Sequence, residues 1–364
     1  LKGGCFPARL GWVLFFRMLL CSHTPMTSPA PRSWRGAGHP RRSRRCALLL
    51  LLPSLGAVAD SPEECASPLV RMDRAPSVEE FRDLWRRDGA VLFNLRSKAE
   101  LTKEAFGVNN DFMGAVGLTL TSKSPYDGSF SCNRHNRTGG VSPLRIRHKY
   151  FHSLAPADQT VQGPHQEGAG STRGNRRALA FICEAPADVR GGTAIFDMQR
   201  AWELLPEDLK KLLARSNFAW QQVDGSLTPV PAVVKHEVTG APCIQFFCFG
   251  RLARDCVDVY RTKTGRYLVK PEFYLYEIHA DKDLLLMTED GKVQPFLGLD
   301  LYNLLTSIYD AMVEVSWERG DVLLLDNVRF AHARLEGKGI KRKVHFATYG
   351  LADGSFDLLN FSRP

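Results

Sequence analysis

The chain has 364 residues, of which 44% are hydrophobic and 24% charged. That composition excludes a collagen, an extended coiled coil, a disordered polymer and a multispan membrane protein. The formal charge of +9 comes from 48 Lys and Arg against 39 Asp and Glu, but nine of the basic groups lie in residues 1–59, which hold no acid. Residues 60–364 therefore balance at 39 against 39. A neutral body has no global field to gather phosphates, so nucleic acid is not expected as a partner.

Residues 1–59 read as a leader outside the fold. Met18 and Met26 are alternative starts, and from Met26 the pattern is legible. Arg41, Arg42, Arg44 and Arg45 form a basic region, and an apolar run from Cys46 to Ala59 is broken by Pro53. Ala57-Val58-Ala59 then offers an A-x-A cleavage site. This is the pattern of a secretory signal or of a bipartite organelle signal. The run is too short for a stable membrane span. The six cysteines beyond it (Cys65, Cys132, Cys183, Cys243, Cys248, Cys256) show no CxxC or zinc-ribbon spacing.

Residues 60–76 read as an extended lead-in to one domain over residues 77–364. Ser77-Val78-Glu79-Glu80 is a capping box, and Phe81, Leu84 and Trp85 follow at helical spacing. Gly89 stops that helix, Ala90–Leu95 reads as a strand, and 97–107 as a second helix. The polar stretch 120–163 is too long for an ordinary connection and reads as a lid or other functional loop. Strand-like runs follow at 178–183, 193–196, 218–223, 243–249, 272–278, 321–325 and 343–349, interrupted by helical segments at 199–215 and 300–315. Many short strands with few helices point to a mainly β sandwich or barrel with inserted helices.

Four spots carry chemistry. His165-Gln166-Glu167 in extended backbone turns an imidazole and a carboxylate to one face and Gln166 to the other. Those are two corners of a 2-His-1-carboxylate triad, which leaves positions on Fe(II) open. Further on, the apolar strand ending in Asp326-Asn327 is followed five residues later by His332, a third ligand at a strand end. Arg342, ten residues beyond His332, offers the planar fork that the distal carboxylate of 2-oxoglutarate needs. Gly191-Gly192-Thr193 adds a tight turn and a hydroxyl for the same carboxylate.

Taken together, these motifs resemble the TauD/TfdA (taurine dioxygenase and clavaminate-synthase-like) family of Fe(II)/2-oxoglutarate-dependent oxygenases. The likeness covers roughly 77–350 and includes Gly139-Gly140, Asp158-Gln159, Ala178–Glu184, Trp317-x-x-Gly320–Asn327 and His332-x-Arg334. It implies a double-stranded β-helix (jelly-roll) sandwich. It implies Fe(2+) held by His165, Glu167 and His332, 2-oxoglutarate as cosubstrate on Thr193 and Arg342, and O2. It also implies hydroxylation of a small amino-acid-like molecule or small acid, with 2-oxoglutarate decarboxylated to succinate. Two rivals share parts of the pattern, a JmjC-like protein hydroxylase and a non-catalytic binding module on the same fold. The sequence departs from the family at Pro164, where an aromatic is frequent, and at Phe346, where taurine-binding members place a second Arg. Arg145 in the lid, Phe346 and Arg334 are the candidate substrate contacts.

The remaining histidines carry less. His148 and His152 stand at i,i+4, the spacing of a zinc pair on a helix. His345 faces away from Val344 and Phe346 if the strand is regular.

Overall fold

The computed structural model describes residues 69–96, 101–121, 146–148, 151–154, 163–168, 176–221, 225–248, 252–266, 284–338, 342–355 and 357–364. The expected leader, the run at 272–278 expected to be a strand, and most of the 120–163 stretch, Arg145 included, lie outside them.

In chain order the first elements are β1 (Arg71–Met72), α1 (Val78–Asp88), β2 (Ala90–Asn94), α2 (Leu101–Ala115), β3 (Leu118–Leu120), β4 (Ile146–His148) and β5 (Phe151–Leu154). Then come β6 (Ala178–Ala185), β7 (Val189–Arg190), β8 (Thr193–Asp197), α3 (Met198–Glu203), α4 (Glu207–Ala214), β9 (Asn217–Gln221) and β10 (Leu227–Pro231). Next are β11 (Val233–Lys235), β12 (Pro242–Ile244), α5 (Leu252–Thr264), β13 (Leu285–Met287) and β14 (Val293–Pro295). The last are α6 (Gly298–Asp310), β15 (Met312–Val315), β16 (Asp321–Asp326), β17 (Phe330–Arg334), β18 (Gly337–Lys338) and β19 (Lys343–Leu351).

Two sheets build the centre. The larger runs β1-β2-β16-β6-β19-β5-β4, with β3 added to β19; the smaller is β15-β8-β17. Strand alternation explains how they pack. From the large sheet, Leu92, Leu179, Phe181, Leu323, Leu325, Val344 and Phe346 meet Ile195, Val315 and Phe330 of the small sheet in one apolar layer. The alternate residues Val91, Phe93, Ala180, Ile182, Val322, Leu324, Ala347 and Tyr349 meet Phe81, Trp85, Phe112 and Met113 of α1 and α2. The outer face of the small sheet, with Ala194, Phe196, Ala331 and Ala333, packs on residues of α3 to α6. Both faces of the large sheet are therefore covered, which is why Asp321-Val-Leu-Leu-Leu-Asp326 is buried at every position and reads as a continuous run.

Local sequence sets the helix limits. The capping box forms, with Ser77 Oγ accepting from the Glu80 N–H (3.1 Å) and Glu80 Oε2 from the Ser77 N–H (3.2 Å). Gly89 closes α1 at φ 66°, a left-handed value that costs glycine nothing.

Several expectations are corrected. The segment 199–215 is two helices, because Pro206 has no N–H to donate and turns Leu205 away from helical backbone. The helix expected to reach 315 ends at Asp310; Met312-Val-Glu-Val315 pairs with β8 as a strand. The second helix runs on to Ala115, and among the described residues of the 243–249 run only Cys243 and Ile244 lie in a strand, Pro242–Ile244. Helix α5 was not anticipated, although Leu252, Cys256, Val259 and Tyr260 are buried at helical spacing. His148 and His152 fall on the paired strands β4 and β5, so the helical i,i+4 geometry for a zinc pair does not exist. His345 does face away from Val344 and Phe346, and its buried ring meets the Glu184 carboxylate at 2.6 Å.

Candidate metal centre

β17 carries His332 into the layer between the sheets. Its alternation sends Ala331 and Ala333 to the helices and His332 and Arg334 inward. Beside it runs the short segment 163–168. His165 and His332 are paired residues of an antiparallel bridge and exchange both backbone hydrogen bonds, His165 N–H to His332 O at 3.1 Å and the reverse at 2.8 Å. On its other side His165 bridges Phe247. Two residues along, Glu167 turns back to the same face.

The three side chains converge. Glu167 Oε1 lies 3.7 Å from His165 Nε2 and 3.8 Å from His332 Nε2, and one ligand atom from each residue lies within 4.8 Å of the others. These separations suit a single ion held at roughly 2.0–2.2 Å by each ligand. Protonation also fits. His165 Nδ1 donates to Gly163 O at 2.9 Å, which leaves Nε2 as the ring nitrogen facing Glu167. Burial foremost, helped by the neighbouring His165 and opposed by Glu167, depresses His332 to about 3, so its ring is neutral. Burial works against the Glu167 charge, but His165, His332 and Arg176 outweigh it and hold the carboxyl down to about 2. Two imidazoles and one carboxylate form the donor set of a facial triad. Neither ring nitrogen of the buried His332 makes a hydrogen bond among the described residues.

The residues expected to hold 2-oxoglutarate lie on and beside these strands. Thr193 pairs with Arg334 across β8 and β17, two residues along from the Ile195–His332 pair, so Thr193 and Arg334 share the inward face with His332. Thr193 Oγ1 accepts from the Trp317 indole at 3.0 Å and keeps its own O–H as a donor. Arg342 is buried immediately before β19, where its Nε donates to Gly191 O at 3.0 Å. The glycine pair has a steric cause. Gly191 sits at φ 71° with Gly337 packed on its backbone, and a Cβ on Gly192 would lie 2.6 Å from Val315 O. Phe346 is buried with its ring 5.1 Å from Phe181 and 6.5 Å from His332, so it walls the metal side of the layer.

Family comparison agrees with this geometry. The sequence matches the model of the taurine catabolism dioxygenase TauD, TfdA family over residues 61–348. The chain belongs to that family. It is an Fe(II)/2-oxoglutarate-dependent dioxygenase that uses Fe(2+), 2-oxoglutarate and O2. No curated protein matches the chain in sequence. Similar solved structures include PvcB, described as an Fe, alpha-ketoglutarate-dependent oxygenase from an isonitrile synthetic pathway (15% identity, 80% of this chain and 88% of that one, TM-score 0.48). Others are PvcB from Pseudomonas aeruginosa (16%, 81% and 90%, 0.48) and a taurine dioxygenase from Burkholderia xenovorans (16%, 79% and 89%, 0.46). Among the described residues no helix is long and apolar enough to cross a membrane.

The structure adds residues that spacing did not single out. Phe181 packs its ring 5.1 Å from His332. Arg176, partly exposed, brings Nη1 within 3.9 Å of Glu167 Oε2. Gln166, pointing away as expected, is buried; its amide donates to Val328 O and accepts from the Phe246 N–H, both at 2.8 Å. Alternation predicts only where Gln166 points, and nothing near Arg176 in the sequence marks it.

Proposed function

We propose that this dioxygenase hydroxylates a C–H bond of a small amino-acid-like molecule or small organic acid while 2-oxoglutarate is decarboxylated to succinate. The observation that carries the reading is the convergence of His165, Glu167 and His332 around one point inside the layer between the sheets. Bound iron with 2-oxoglutarate and O2 supplies the oxidising power for C–H cleavage. The protein's residues supply the rest. His165 and His332 present their Nε2 atoms and Glu167 a charged oxygen. Arg342 offers a fork to the distal carboxylate of 2-oxoglutarate, and Thr193 a hydroxyl donor. Phe181 and Phe346 line the metal with apolar surface and exclude water.

Arg176 supports an acidic group on the substrate. Among the described residues its guanidinium meets one carboxylate, Glu167, at 3.9 Å. Once Glu167 is committed to a metal, that cation at the edge of the site faces whatever enters. In the same reading the two sheets are the halves of a double-stranded β-helix, and the partner is a small molecule.

The test is succinate release with Fe(II) and 2-oxoglutarate against amino acids, betaines and small acids. Stimulation by an acid or amino acid in the wild type, and its loss in Glu167→Ala and His332→Ala, is the expected result. Stimulation confined to compounds without an acidic group would refute the substrate class. Undiminished turnover in His332→Ala would refute the site.

A further inference from the structure

We infer that Asn327 is the positioning residue that sets Glu167 against the two histidines. The inference rests on the metal site proposed above and assigns a task to a side chain outside the ligand set.

The segment carrying His165 and Glu167 is not a regular strand. Its backbone pairing to β17 is the single His165–His332 bridge, and Gln166 N–H goes to Phe246 O at 3.0 Å. At Glu167 the ladder has ended, so the residue that must deliver a carboxylate would have an unsupported backbone. Asn327 supplies the missing partners. Its Oδ1 accepts from the Glu167 N–H at 2.9 Å, and its Nδ2 donates to Glu167 O at 2.9 Å. The side-chain amide thus pairs with both backbone groups of Glu167, as a neighbouring strand would. A second Nδ2 proton goes to Arg176 O at 2.8 Å, tying the residue beside the Glu167 carboxylate into the same frame. Two carbonyls face one end of the amide and an N–H the other, so the orientation is fixed by its partners. A carboxylate of the same shape lacks both donors.

The clamp is itself held rigidly. Asn327 is buried, and its backbone N–H donates to Arg177 O at 3.0 Å. It stands in the turn between β16 and β17. The preceding Asp326 caps that turn through the Val328 N–H (2.9 Å) and is paired in the interior with Arg177 and His236. Five residues on, the same chain delivers His332. One turn therefore registers both ligand-bearing segments, and the side chain of Asn327 is the link.

Partners outside a metal's ligand set typically change its affinity about 10- to 100-fold when removed. The experiment is Co(II) binding by the full chain, read by titration and by the visible ligand-field bands, for wild type, Asn327→Asp, Asn327→Ala and Asn94→Ala. Asn94 is the control, a buried amide of similar kind that donates to Arg319 O (3.1 Å) and Asp321 Oδ1 (2.9 Å) and touches no ligand. The expected result is Co(II) affinity about 10- to 100-fold lower with altered bands in both Asn327 variants. Asn94→Ala should lower thermal stability and leave affinity and spectrum unchanged. Wild-type affinity and spectrum in either Asn327 variant would overturn the assignment while leaving the metal site intact. Equal loss of affinity in Asn94→Ala would overturn it too, by tracing the effect to stability alone. Absence of Co(II) binding by the wild type would overturn the metal reading and this inference with it. Amide hydrogen exchange needs no variant: in metal-free wild type the Glu167 N–H should be protected as His165 is, and fast exchange there would also overturn the clamp.

Discussion

His165 and His332 stand 167 residues apart in the chain, yet each donates its backbone N–H to the other's carbonyl, and their rings lie 4.4 Å apart. Reciprocal pairing fixes two candidate metal ligands by backbone geometry before any side chain chooses a rotamer. Only Glu167 then needs separate support.

The fork at Arg342 should be irreplaceable by charge alone. Arg342→Lys keeps the cation and loses both the second donor direction and the Nε bond to Gly191 O. The expected outcome is weaker 2-oxoglutarate binding by about tenfold or more, with Co(II) affinity unchanged, since hydrogen bonds to charged groups are worth ~1.5–3 kcal/mol. Isothermal titration of each ligand separately checks it. Equal loss of both affinities would make Arg342 structural.

Asp326 should govern acid stability. Burial disfavours its charge, but Arg177 and His236 outweigh burial and hold the carboxyl well below the usual carboxylate range. A depressed folded-state pKa contributes stability that is fully present above the unfolded value near ~3.9 and is lost as pH falls through the folded value. Asp326→Asn should therefore destabilise the protein by ~3–5 kcal/mol at neutral pH, leaving the buried Arg177 without its nearest carboxylate. Urea denaturation at several pH values is the measurement. The deficit should shrink on acidification, and a deficit of constant size would show that packing is what was lost.

Taurine should be a poor substrate. The resemblance places a sulfonate-binding Arg of taurine-oxidising members at position 346, where this chain has a buried phenylalanine between Phe181 and His332. An aromatic offers apolar contact and no partner for an anion, and an unpaired buried anion is costly. Succinate release with taurine against neutral and carboxylate-bearing amino acids decides the point. Efficient taurine oxidation that disappears in Arg176→Gln would show that the cation beside Glu167 takes over that duty.

Removing residues 1–59 should leave folding and Co(II) binding unchanged. They hold the chain's whole net positive charge and no acid, and the family match begins at residue 61. Thermal denaturation and metal titration of the shortened chain beside the full one provide the comparison. A large drop in melting temperature would place part of the leader in the core.

The sequence alone determined the elements whose information is local and the residue types whose chemistry is rare. The capping box at Ser77, the stop at Gly89, the run at 321–326 and the grouping of His165, Glu167, His332 and Arg342 all depend on neighbours a few residues away or on a recognisable order. What the tertiary structure decided was everything that depends on partners far along the chain. Strand β17 is five residues long, and two of its three inward side chains, His332 and Arg334, are polar or charged, so no apolar alternation announces it. Met312–Val315 follows a helix without a break in apolar pattern, and only pairing with β8 makes it a strand. Asn327, Gln166 and Arg176 look like ordinary polar residues in sequence, because an amide or guanidinium takes its role from the groups that folding brings to it. Hydrogen bonds between residues some 150 or more positions apart leave no local periodicity to read, and the metal centre is assembled almost entirely from such bonds.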